Sequence, residues 1–438
     1  MKLRYNYRLY PDAPQQAALA RLFGCVRAVW NDGLARRKAA WKADRARIGG
    51  TELQKLCITA AKRTAEREWL GQVSAVPLQQ SLRDLDVAYG NFFDSVSGKR
   101  KGPKMGLPVF KSRRDRRQSA RFTSTAFRLR PGGAGEVLYL AKIGEIEVRW
   151  SRELPAPPSS VTVVKDAAGR YFASFVVDVP DDGQTFPRCD AQVDAVTGID
   201  LGLAHYAVAS DGEKIANPKW LRRRERKLKK LQRALARKKK GSANRVKARI
   251  RLARQHAKVG DARRDLLHQV STTIVRENQA VAVEGLAVRG LARGRLAKSV
   301  NDASWGTFLR LLEGKAARYG RAFISIDRWY PSSQLCPCCG HKIGKLGLDV
   351  RAWDCPSRGE HHDRDIAAAL NILAEGIRLK AQKTLNGLND SNGLNDVGSV
   401  NDVAAGLADT RNDCEGQVRP GKAIPNLAPP ETSTAQAA

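Results

Sequence analysis

The chain has 438 residues, 77 Lys and Arg against 44 Asp and Glu, a formal net charge of +33 and 42% hydrophobic residues. At about 100–200 residues per domain this length predicts two to four domains, and the apolar content excludes a wholly disordered chain. A positive excess of this size repels itself unless a polyanion neutralises it, so nucleic acid is the expected partner. No run of 18 apolar residues exists to span a membrane, so no membrane partner is expected. Met1–Asn6 lacks the apolar run of a signal peptide, which predicts a cytoplasmic, nucleoid-associated protein.

Taken in chain order, Lys2–Tyr10 alternates charged and aromatic residues and predicts a strand, followed by a turn with Asp12 as a helix N-cap. One helix should carry Leu19, Leu22, Phe23, Val26 and Trp30. A second should carry Leu78, Leu82, Leu85, Tyr89, Phe92 and Phe93, with the aromatics in the core. Residues 98–112, rich in Gly, Pro and Lys, read as a loop. Four alternating runs then predict strands: Ala120–Thr123, Glu145–Trp150, Ser160–Lys165 and Tyr171–Val177. The N-terminal half is therefore expected to be a β-rich module made of 1–12 and 96–190, with a helical insert at 13–95. Pro180–Val193 reads as a linker.

Two mid-chain segments concentrate the charge. Residues 219–258 hold nineteen Lys/Arg against one acid, Glu225, and residues 98–121 hold ten against one, Asp115. In the first, Leu221, Leu228, Leu231 and Leu235 form one apolar stripe, and Gly241-Ser242 breaks the helix before a second one. A basic helical hairpin over 219–275 would bind phosphates with little sequence preference and a strong salt dependence. Arg222, Arg223, Arg224, Lys229 and Lys230 are its candidate contacts, with Arg113, Arg114, Arg116 and Arg117 in the other run.

From 195 onward the predicted order is strand, strand, strand, helix, strand, helix, strand, helix. That is the order of an RNase H-like fold, so the whole is expected to be an α/β multidomain protein. Asp200 ends the first strand of this half, Glu284 ends the strand Gln279–Val283, and Asp365 opens the last helix. Three carboxylates gathered in this way can hold two Mg²⁺ ions for phosphodiester cleavage. Cys336, Cys338, Cys339 and Cys355 lie within twenty residues, which reads as a metal site in a reducing compartment. A structural Zn²⁺ wants four ligands. Cys336, Cys339 and Cys355 supply three, and the fourth would come from His361, Cys338 or, behind them, His341, His362 or Glu360. His361, six residues after Cys355, is favoured because a loop lets it swing in. Cys25, Cys57 and Cys189 have no partner at ligand spacing and read as structural thiols.

Several stretches together resemble the TnpB/OrfB family of insertion-sequence proteins, relatives of type V CRISPR nucleases. They are Tyr7-Arg8-Leu9-Tyr10-Pro11, Phe23-Gly24-Cys25-Val26-Arg27, Gly106-Leu107-Pro108-Val109-Phe110-Lys111-Ser112, Gly198-Ile199-Asp200-Leu201-Gly202, Val283-Glu284-Gly285-Leu286, Ser332-Ser333-Gln334-Leu335-Cys336-Pro337-Cys338-Cys339-Gly340 and His362-Asp363-Arg364-Asp365 with Asn371-Ile372. They fall in family order over 1–376. The resemblance implies a RuvC-type nuclease over 195–376 with Asp200, Glu284 and Asp365 as Mg²⁺ ligands. It implies a zinc-ribbon-like insert at 331–361, a guide RNA from the same element, and double-stranded target DNA whose adjacent motif is read by an N-terminal wedge module. Arg358 stands where the family has the last ribbon cysteine, and Ala367 where it often has Asn. The alternative is a guide-dependent DNA-binding protein that does not cut. Residues 377–438 carry a repeated Asn-Gly-Leu-Asn-Asp and a Pro/Ala/Thr-rich end, and read as a disordered tail.

Overall fold

A computed structural model describes residues 1–390 except 101, 116, 133–134, 181–194 and 348, with side chains to 382. Arg116, Cys189, the linker beyond Pro180 and the part of the expected tail beyond 390 lie outside the described residues; the first part of that tail, 377–390, is not disordered but continues the last helix. The chain divides into two compact units. Of the described residues, the first comprises Met1–Pro180 and Arg237–Arg254, and the second 195–236 and 255–390.

In the first unit, β1 (Lys2–Tyr10) leads into α1 (Ala13–Asp44). Asp12 Oδ1 accepts from Gln15 N at 2.7 Å and Gln15 Oε1 accepts from Asp12 N at 3.0 Å, so two otherwise unpaired donors at the helix start are satisfied reciprocally. After α2 (Gly50–Gln54) and short helical turns to Gln72 comes α3 (Ala75–Val96). Six strands follow: β2 (Gln118–Thr123), β3 (Phe127–Gly132), β4 (Gly135–Leu140), β5 (Gly144–Arg149), β6 (Pro158–Lys165) and β7 (Tyr171–Asp178). They form one antiparallel sheet with β1 at its centre, in the order β2-β6-β7-β1-β5-β4-β3. Tyr7 and Leu9 on β1 join Leu19, Leu22 and Phe23 on α1 in one core.

Two expectations change here. β3 and β4 are not among the strands expected from the sequence; Phe127-Arg128-Leu129-Arg130 does alternate as a strand, but Pro131-Gly132 cuts the run short, which the sheet tolerates because β3 is its edge. Phe93, expected in the core, is 57% exposed. Burial on α3 ends at Leu85, and past it Tyr89, Phe92 and Phe93 contact one another at ring distances of 5.2 and 6.3 Å.

In the second unit, β8 (Val196–Asp200), β9 (His205–Ala209) and β10 (Lys214–Ala216) form an antiparallel meander. α4 (Trp220–Ala236) and α5 (Ala243–Glu277) follow, then β11 (Ala280–Glu284), α6 (Val288–Leu291), α7 (Ala297–Ala303), α8 (Trp305–Arg318) and β12 (Ala322–Ile326). A small hairpin of β13 (Ala352–Asp354) and β14 (His361–Asp363) precedes α9 (Arg364–Asp390). The sheet order is β10-β9-β8-β11-β12, with β8, β11 and β12 parallel.

β11 shows how its sequence dictates the layers. Val281 and Val283 pack with Leu267 and Val270 of α5 and Phe308 and Leu312 of α8, while Ala280 and Ala282 face the other way, towards Ile372 of α9. Small residues on that face let α9 approach closely. A Cβ on Gly376 would lie 2.5 Å from the Cβ of Ala282, and one on Gly198 would lie 2.2 Å from the Ala369 carbonyl oxygen. Among the described residues no helix is long and apolar enough to cross a membrane.

Candidate functional site

β8 and β11 run side by side with Ile199 opposite Val283, so the next residues, Asp200 and Glu284, leave the sheet at the same edge. Asp365 lies in the first turn of α9, which packs on β8 at Gly198. The three predicted acids therefore converge from two adjacent strands and the helix that covers them. Burial first, then the like charges of Glu284 and Asp365, push the Asp200 carboxyl up to about 7. Burial also pushes Glu284 up, against a hydrogen bond donated by Ser332 Oγ at 3.0 Å. Asp365 has His205 Nδ1 at 3.6 Å and Arg351 Nη1 at 3.7 Å. Three hard oxygen donors suit a divalent cation such as Mg²⁺, and a bound cation would offset the repulsion that raises Asp200.

Residues given no role from the sequence hold this arrangement. Asp363 Oδ1 accepts from the backbone N–H of Asp365 at 3.0 Å and of Ile366 at 3.1 Å, capping α9. Burial raises Asp363, but Lys214 and these amides outweigh it and hold its carboxyl below the usual range. Buried Asn371 donates to the carbonyls of Ser332 and Leu335, both at 2.8 Å, which fixes the segment that reaches Glu284. Ser332, Asp363 and Asn371 all lie in the stretches that carried the family resemblance, and that was their only signal. Bonds spanning 36 to 48 residues leave no periodicity to read.

Next to α9 two cysteine turns share one backbone design. Gly340 N donates to Cys336 O at 2.9 Å and Gly359 N to Cys355 O at 2.7 Å, and both glycines have φ of +69°, a conformation that favours glycine. Arg358 occupies in the second turn the place of Cys339 in the first, and guanidinium has no lone pair for a metal. Among the described residues two groups bring their ligand atoms within 4.8 Å of one another: Cys336, Cys339 and Cys355, and Cys336, Cys338 and His362. The carboxylate trio is more open and is not such a group.

The structure does not bring His361 to the thiols. Its Nδ1 pairs with Asp354 at 2.6 Å, and the side chain is 71% exposed. Successive strand residues point to opposite faces, so on β14 His361 turns outward and His362 inward. The His362 ring packs on Trp353, and its Nε2 lies 3.2 Å from Cys336 Sγ. Burial raises the Cys336 thiol, but hydrogen bonds from the backbone of Cys338 and Cys339 and from the thiols of Cys339 and Cys355 outweigh it and hold it down at about 6. Cys336, Cys355 and Trp353 also pack on Ala367, two residues past Asp365, so this knuckle and the carboxylate helix share a core.

The candidate phosphate contacts Arg222, Arg223, Arg224, Lys229 and Lys230 are exposed on α4, whose stripe is anchored by buried Trp220 and Leu228. Asp302, buried on α7, fixes the start of α4. Both its carboxylate oxygens accept from Leu221 N at 3.0 Å, and it pairs with Arg263 at 2.6 Å. Arg113, Arg114 and Arg117 are exposed in the other basic segment.

Three family profiles match the chain: "Probable transposase" over 174–295, "Cas12f1-like, TNB domain" over 305–372 and "Helix-turn-helix domain" over 1–46. In the last span the structure has β1 and the single helix α1. A Streptomyces pristinaespiralis protein named "Putative RNA-guided DNA endonuclease" is 46% identical over 385 residues, covering 87% of this chain and 91% of that one. Escherichia coli (strain K12) InsQ, which carries the same name, is 28% identical over 85% of this chain and 92% of its own. Among solved structures, a Cas12f1-sgRNA-target DNA complex aligns at 15% identity with a TM-score of 0.48, over 81% of each chain.

Proposed function

Because the chain belongs to the TnpB/OrfB family, we propose that it is a transposon-encoded, RNA-guided DNA endonuclease whose nuclease site is Asp200, Glu284 and Asp365. The observation that carries this reading is the convergence of Asp200 and Glu284, at the ends of adjacent parallel strands, with Asp365 at the start of the helix packed on the first of them. The strand order, with an antiparallel meander joined to two parallel strands, supports an RNase H-like assignment of the RuvC type for 195–376. The sheet around β1 is the natural wedge module, and the helices at 13–95 its insert.

Asp200, Glu284 and Asp365 would hold two Mg²⁺ ions. When bound, these would supply the charge that activates water and stabilises the leaving oxygen in phosphodiester hydrolysis. The chain's own groups prepare the site. Ser332 orients Glu284, Asp363 sets the first turn of α9 and with it Asp365, and close packing of α9 on Gly198 excludes water behind the trio. The basic faces of α4 and of 98–121 would carry guide RNA and double-stranded target DNA, with base pairing reading the target and protein the adjacent motif. Cys336, Cys339 and Cys355 would hold a structural Zn²⁺, with His362 as the fourth ligand in place of the thiol lost at Arg358.

Guide-loaded protein with Mg²⁺ should cut matched DNA. Asp200→Ala, Glu284→Ala and Asp365→Ala should each abolish cutting and leave guide and target binding intact, since each removes a metal ligand and no phosphate contact. Full cutting by Asp200→Ala would overturn the site assignment.

A further inference from the structure

We propose that His205 is a further ligand of the nuclease metal site. Its Nδ1 shares one divalent ion with the Asp365 carboxylate and tilts the site towards transition-metal ions such as Mn²⁺. The proposal rests on the nuclease reading above and deepens it by naming a nitrogen donor and the class of cation it suits.

The surroundings of His205 Nδ1 carry the inference. The atom is buried, and among the described residues no group forms a hydrogen bond with it. Leaving a buried polar atom unpaired is costly, and native structures rarely do so without a use. The group it faces is Asp365, whose Oδ2 lies 3.6 Å away. That gap exceeds the hydrogen-bond limit of about 3.2 Å, and a water bonded to both atoms would hold them about 4.5 Å apart. A shared ion fits. Two ligand atoms each about 2.1 Å from an octahedral cation lie about 3.0 Å apart when adjacent and about 4.2 Å apart when opposite. The other oxygen of Asp365, Oδ1, has Arg351 at 3.7 Å, and guanidinium has no lone pair for a metal. Oδ2 and the imidazole are therefore the donor pair.

The strand explains why the imidazole stands there. β8 ends at Asp200 and β9 begins at His205, so both residues lie at the same edge of the sheet, on neighbouring strands. Successive residues on β9 point to opposite faces. Tyr206 lies edge-on to Trp220 and to Phe308 of α8, with ring distances of 6.4 and 5.3 Å. His205 turns the other way, towards α9, which packs against β9 and opens with Asp365. The turn before it is held as well. Asn217 Nδ2 donates to the Leu203 carbonyl at 3.0 Å, and a Cβ on Gly202 would lie 3.0 Å from the His205 carbonyl oxygen.

A nitrogen donor changes which ion the site prefers. Mg²⁺ is a hard cation that takes oxygen ligands. Affinity at a mixed nitrogen and oxygen site instead rises along the first-row divalent series that begins with Mn²⁺. Mn²⁺ keeps the carboxylates and accepts the imidazole, so the set of four favours it more than three carboxylates alone would.

The test is Mn²⁺ binding to the untagged full chain, read by electron paramagnetic resonance, with Mg²⁺ affinity obtained by competition. A nitrogen bonded to the ion modulates the Mn²⁺ spin echo. The modulation should be present in the wild type and absent in His205→Ala. That variant should weaken Mn²⁺ by roughly tenfold or more and Mg²⁺ by clearly less. Its melting temperature in EDTA should not fall, which separates loss of a ligand from loss of fold. Bound Mn²⁺ without modulation, or modulation that survives His205→Ala, would overturn the proposal and leave the carboxylate site standing. Mn²⁺ held equally well by Asp200→Ala would instead overturn the nuclease reading itself.

Discussion

Replacing Asp200 with Asn preserves the shape of the side chain and removes its charge, which isolates the electrostatics of the trio. In an unfolded chain an aspartate ionises near pH ~3.9. In the folded protein burial and the charges of Glu284 and Asp365 push Asp200 up to about 7. Between these values the folded chain keeps a proton that the unfolded chain has released. Stability therefore falls as pH rises through this window, and the loss is complete above the folded-state value. The full penalty is on the order of 4 kcal/mol, an upper bound because water and counterions relax around the partly accessible site. For a unit of roughly 200 residues that is at most about 8–16 °C in melting temperature. Thermal unfolding followed by circular dichroism at pH 5 and pH 8.5, each with EDTA or with Mg²⁺, measures it. In EDTA the wild type should lose more melting temperature than Asp200→Asn on going to the higher pH, and the variant should be the more stable there. Mg²⁺ should restore the wild type at pH 8.5 and leave the variant nearly unchanged. Titrating groups outside the trio are common to both proteins and cancel in the difference. A variant with the wild-type pH slope and no gain at pH 8.5 would refute the claim that Asp200 is held against two carboxylates.

Gly198→Ala drives a methyl into the Ala369 carbonyl and the Leu373 amide, 2.2 and 2.6 Å away, so α9 must move. It should cost about 1–3 kcal/mol or more in urea unfolding and slow cutting with it. Asp302→Ala leaves Arg263 without its carboxylate and Leu221 N without an acceptor, a loss of about 3–5 kcal/mol, and should speed amide exchange in the first turn of α4. Reversing Arg222, Arg223, Arg224, Lys229 and Lys230 should weaken nucleic-acid binding and flatten its salt slope; an unchanged slope would make α4 a merely solvated face. Metal analysis should find about one zinc per chain. His362→Ala should lose it, His361→Ala keep it and Arg358→Cys hold it more tightly, and the charge-transfer bands of cobalt-loaded protein report the thiolate count. Loss on His361→Ala with retention on His362→Ala would reverse the ligand assignment.

Much of this protein is legible along the chain because the patterns are local. The cap at Asp12, the charged and aromatic alternation of β1 and the leucine stripe of α4 each depend on neighbours a few residues away. The acids could be singled out for the same reason: Asp200 and Glu284 each end an apolar run. What tertiary structure alone decided are relations between distant segments. That β8 lies beside β11 brings Asp200 next to Glu284, and close packing of α9 on glycine and alanine raises the Asp200 carboxyl. No window of sequence contains the carboxylate of Asp302 at the start of α4, 81 residues away, or the hydroxyl of Ser332 on Glu284, 48 residues away. The two adjacent histidines make the point at its smallest scale. In a loop either could reach the thiols, but pairing with β13 makes the segment a strand, and a strand sends neighbours to opposite faces. His362 therefore meets Cys336 and His361 faces solvent.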